Sequence, residues 1–92
     1  MVKKQDKIKP VEHEVTEYEG HHIGDVVYCL LKGKPHRGSI SHMHIREGQE
    51  PHFSFLDEAG MKNLVSRFSD IINEPTRKQV QAIEREIKKN KV

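Results

Sequence analysis

The run Val26-Val27-Tyr28-Cys29-Leu30-Leu31 constrains this chain more than any other feature, because it is apolar at every position and bounded by Gly24-Asp25 and Lys32-Gly33. Six residues are far too few to span a bilayer, but they suit one strand. A strand apolar on both faces is packed on both sides, as at the centre of a tightly curled small sheet. The rest of the chain offers little else to pack there, since only 34% of its 92 residues are apolar and 33% are charged. Such a chain makes one domain, buries roughly 60–65% of its surface, and leaves part of itself outside the core. A deep substrate pocket would take apolar residues it can hardly spare.

Further strands are expected on either side of the loop Glu47-Gly48-Gln49-Glu50-Pro51. Gly38 to Arg46 reads as a strand whose apolar residues Ile40, Met43 and Ile45 change parity once, which a bulge explains. His52 to Leu56 places Phe53 and Phe55 on one face. Lys32-Gly33-Lys34-Pro35 reads as a turn or loop, and His21-His22 as a loop pair. Upstream, Val11 to Glu19 alternates weakly, and an edge strand is slightly favoured over a solvated acidic segment. From Met61 to Ile72, the spacing of Leu64, Val65, Phe68, Ile71 and Ile72 is near-helical, yet fits equally a strand, one short helical turn and a final strand. Thr76 with Gln79 fits a capping box and Pro75 is tolerated beside it, so a helix is expected to about Asn90. Its apolar stripe, Val80, Ile83 and Ile87, is too thin to stand alone.

Charge is segmented along the chain. Residues 1–10 carry four Lys and one Asp, residues 11–76 eleven acidic and six basic side chains, and residues 77–92 six basic and two acidic. The expected organisation is a mobile basic arm and acidic segment (1–19), a barrel (20–72) and a basic C-terminal helix (73–92). Lys3 and Lys4 precede no apolar segment, so no secretory signal is expected, and the lone Cys29 cannot form an internal disulfide. A reducing, cytoplasmic setting without membrane association is therefore expected.

Residues 23–45 resemble the opening of an SH3-like small barrel, in particular the KOW-type modules of ribosomal proteins and transcription elongation factors. Gly24-Asp25, the apolar strand, Gly33 within the basic Lys32/Lys34/Arg37 turn, and Gly38-Ser39-Ile40 carry the resemblance. Pro35-His36 stands where KOW segments usually have a further Gly. Short barrel-plus-helix proteins are also frequent among phage and plasmid accessory genes. The resemblance implies a mainly β fold, an SH3-like barrel of about five strands with a C-terminal α-helix. It also implies a non-enzymatic module that binds DNA, RNA or a protein of the transcription or translation machinery. Lys32, Lys34, His36 and Arg37 would then be a contact set on a protruding turn, against the plainer reading that they are ordinary solvated turn residues.

Seven histidines in 92 residues raise a different possibility. His42 and His44 share a strand face, and His52 lies opposite them if the two strands pair. Three imidazoles from adjacent strands can ligate zinc, although no Cys or carboxylate completes a recognised spacing. The plainer reading puts His42 and His44 in solvent with Met43 and Ile45 inward. Below neutral pH the imidazoles add positive charge, so polyanion affinity is expected to rise from pH 8 to pH 6. Cys29 reads as a small buried side chain, and Asp57 and Glu58 as neighbours on opposite strand faces. No phosphate loop, nucleophile elbow or dinucleotide fingerprint occurs.

Arg77, Lys78, Arg85, Lys88, Lys89 and Lys91 surround the thin stripe of the C-terminal helix. This basic surface suits nucleic-acid phosphates. Alternatively, Val80, Ile83 and Ile87 fill a groove on a protein partner, or the helix packs on its own barrel. The leading expectation is a non-enzymatic nucleic-acid-associated module with a regulatory role in transcription or translation. The runner-up is a protein-interaction adaptor or inhibitor acting on a cellular enzyme, and the third is a His-ligated metal-binding protein.

Overall fold

A computed structural model describes residues 13–90 and shows a mainly β fold closed by one helix. The strands are β1 (His13–Glu14), β2 (Glu17–Tyr18), β3 (His21–His22), β4 (Val26–Leu31), β5 (Lys34–Ile45), β6 (His52–Asp57), β7 (Asn63–Arg67) and β8 (Ile71–Ile72). The helix α1 spans Arg77–Lys89. The expected basic arm, residues 1–10, lies outside the described residues, as do Val11, Glu12 and Lys91.

Five antiparallel strands run in the order β7-β6-β5-β4-β8, so the last strand returns to pair with the first. β1 adds to β5, and β2 and β3 form a separate hairpin. Residues 13–19 are therefore part of the fold, with Val15 and Tyr18 packed against the core. His21-His22 is a strand, since Tyr18 pairs with His21 and Glu17 with His22.

β4 and β5 are joined by only two residues, Lys32 (φ 52°) and Gly33 (φ 79°). Two successive left-handed residues give a tight turn whose twist matches that of the flanking strands. The expected loop through Pro35 is thus too long, and β5 starts at Lys34, paired with Leu31. Pro35 is tolerated because β6 pairs with β5 only from Gly38 onward. There a close approach is built in: a Cβ on Gly38 would collide with the Leu56 carbonyl oxygen and lie 2.7 Å from the Phe55 ring.

The register shifts between Ile40 and His42, the bulge that the parity change implied, and it keeps both Ile40 and Met43 buried. Val27, Cys29, Ile40, Met43, Phe53 and Phe55 form the core. Phe68 joins them, 4.9 Å from Phe53 and 4.8 Å from Tyr18 between ring centroids. β4 is less evenly packed than expected, for Val27 and Cys29 are buried while Val26 is 57% exposed. Residues 61–72 take the second of the two open readings: β7, a 3₁₀ turn at Phe68–Asp70, then β8.

The helix begins as its sequence suggests. The Thr76 hydroxyl accepts from the Gln79 N–H at 3.1 Å, and the Gln79 side-chain oxygen accepts from the Thr76 N–H at 2.9 Å. Ile83 is 2% exposed, and α1 packs against β5.

Candidate nucleic-acid interface

The short turn reassigns most of the residues expected to protrude. Lys32 alone sits in the turn; Lys34, His36 and Arg37 are strand residues that alternate in direction. His36 turns inward, its Nδ1 3.2 Å from Asp57 Oδ1, with the two side chains only 19% and 8% exposed. The other Asp57 oxygen accepts from the Gly60 N–H at 3.1 Å. Arg37 turns the other way. Its Nε donates to Glu58 Oε1 at 2.8 Å, and its Nη1 donates to the Tyr28 hydroxyl at 3.3 Å and lies 3.7 Å from Glu84 of α1. The Tyr28 hydrogen bond, then that of Glu58, holds the Arg37 pKa above its ordinary range. His36 and Arg37 therefore leave the contact set, because internal carboxylates already occupy them.

Lys34 does something the sequence did not suggest. It meets the C-terminal half of the helix, and together they line a groove of about 580 Å³ whose walls are Lys34, Arg85, Glu86, Lys88 and Lys89 over Pro35 and Ala82. Four cations face one carboxylate. Glu86 lies 3.8 Å from both Lys34 and Lys89, while Arg85 and Lys88 form no ion pair among the described residues. Lys78, Gln81, Arg85 and Lys88 also share one helix row by their spacing, all exposed. Arg77 and Lys78 sit in the first helical turn, where the helix dipole disfavours cations, so helix stability does not account for them.

The apolar stripe is spent on the fold itself. Ile83 is buried, and Val80 and Ile87 are half-buried beside it. As a ready surface for another protein, Val80, Ile83 and Ile87 are thus corrected to an internal seam. Beneath that seam a cleft of about 220 Å³ reaches His36, Asp57 and Ile83.

His42, His44 and His52 do come together, and His44 stands directly opposite His52. Their ring planes lie near parallel, 24° apart for His42 and His44 and 19° apart for His44 and His52. Imidazole lone pairs lie in the ring plane, so near-parallel rings cannot converge on one ion at about 2.0–2.1 Å. No group of three His, Cys, Asp or Glu among the described residues, His42, His44 and His52 included, is placed to hold a metal. Cys29 is fully buried, and burial pushes its thiol up to about 11 despite a hydrogen bond from Ser66. Among the described residues no helix is long and apolar enough to cross a membrane.

In comparison with known proteins, no family model, no curated protein and no solved structure matches this chain.

Proposed function

We propose that this chain is a non-enzymatic nucleic-acid-binding module, an SH3-like barrel whose docked helix grips the backbone of DNA or RNA. The observation that carries the reading is the groove between α1 and the start of β5, lined by Lys34, Arg85, Lys88 and Lys89 with Glu86 as the one carboxylate among them. Cations from two elements around an apolar floor suit a chain of phosphates with sugars or bases beside it. The return of β8 to β4 after a 3₁₀ turn supports the barrel part of the reading. The resemblance at residues 23–45 suggests a setting in transcription or translation.

The test is binding of labelled DNA and RNA at about 50 and 200 mM salt, a range over which phosphate contacts lose most of their strength. Binding should fall steeply with salt. The triple variant K34A/R85A/K88A should weaken it and reduce the log–log salt slope by about 2 to 3, at roughly 0.7–0.9 per phosphate contact. Absence of binding to either nucleic acid at the lower salt overturns the proposal and makes a protein partner the next search.

A further inference from the structure

The outer face of the β5–β6 pair carries a row of three imidazoles. His42 and His44 have ring centroids 6.2 Å apart, and His44 and His52 are 4.9 Å apart. The register creates the row: His44 faces His52, and His42, two residues back on the same side, faces Ser54. Two of the rings are fixed by hydrogen bonds. His44 Nε2 lies 3.2 Å from the Ser54 hydroxyl, and His52 Nδ1 donates to the Glu50 carbonyl at 3.3 Å. His42 is exposed, and its one ring neighbour among the described residues is His44. Ser54 opposite is too small to cover it. The stack is therefore pre-ordered at one end and open at the other.

We propose that this row is a stacking site for an unpaired nucleobase, seated on the free face of His42, so that the module prefers single-stranded DNA or RNA. The proposal rests on the nucleic-acid reading and names its substrate class. Every base has a π face, and aromatic side chains, histidine among them, capture splayed bases without regard to sequence. A base inside a duplex is already stacked on its neighbours and cannot reach the ring. His42 lies eight residues along β5 from Lys34 of the groove, about 26 Å of extended strand. The two contacts are far enough apart to contribute independently, and one strand of nucleic acid is long enough to touch both.

The experiment titrates the full chain against a labelled single strand of about 12 nucleotides, within the span such small domains cover, and against the duplex of the same sequence. His42→Ala should weaken single-strand binding about tenfold while leaving duplex binding and the salt slope unchanged. His42→Phe should restore it, because a phenyl ring stacks without charge or hydrogen bonds. The proposal is overturned if His42→Ala binds the single strand as the parent does, or if His42→Phe is as weak as His42→Ala. A parent protein that binds neither nucleic acid removes the broader reading as well. One that binds both, indifferent to His42, removes the stacking site alone.

Discussion

At the scale of single residues, two buried positions set the tolerances of the core. Gly38 is needed for space, with β6 backbone where a side chain would go. Gly38→Ala should therefore cost about 1–3 kcal/mol through a forced backbone shift, read as a lower urea midpoint. Cys29 acts through its proton. Its folded-state pKa is raised from 9.0 to about 11, so the unfolded chain gives up the thiol proton first. The stability this contributes is full below about pH 9 and is lost as pH rises toward 11. Urea midpoints across that window should fall more steeply for the parent than for Cys29→Ala; parallel profiles would show that the thiol does not titrate in this way.

Elements depend on each other more than on their own propensities. The helix carries a complete capping box, but its stripe is a single buried residue with a half-buried one on each side. Ile83→Ala should cost about 2–4 kcal/mol and lower the hydrogen-exchange protection of α1 well below that of β5 and β6. Equal loss of protection everywhere would mean that helix and sheet open as one unit. The helix was legible because its signals are local: Thr76, Gln79 and the spacing of three apolar residues. The bulge was legible for the same reason. Where β5 begins was not, because Lys34-Pro35 has a loop-like composition and only the two left-handed residues before it decide otherwise. Residues 61–72 were undecidable locally, since the spacing of Leu64, Phe68 and Ile71 suits one helix as well as two short strands broken by a helical turn. Pairing of Ile71 with Cys29 settles the matter from outside the segment.

For the whole molecule, the candidate site exists only because distant segments meet. The cations were visible as residue types, yet Lys34 belongs to a hairpin and Arg85, Lys88 and Lys89 to a helix some fifty residues on. Nothing in their spacing joins them, and nothing in the Lys32–Arg37 segment reveals that Asp57, Glu58 and Glu84 engage two of its side chains, His36 and Arg37. The histidines show the converse, for register was foreseeable and ring orientation was not. If the groove holds phosphates and the imidazole row a base, as proposed, the first should set salt sensitivity and the second strand preference, and the two sets of variants should separate along those axes. The return of β8 to β4 has a consequence in time. Cys29 and Ile71 are partners forty-two positions apart, so the sheet cannot finish until that long loop closes. While the chain is being made, one side of β4 stays an unprotected edge, open to pairing with another nascent copy, until residues 71 and 72 leave the ribosome.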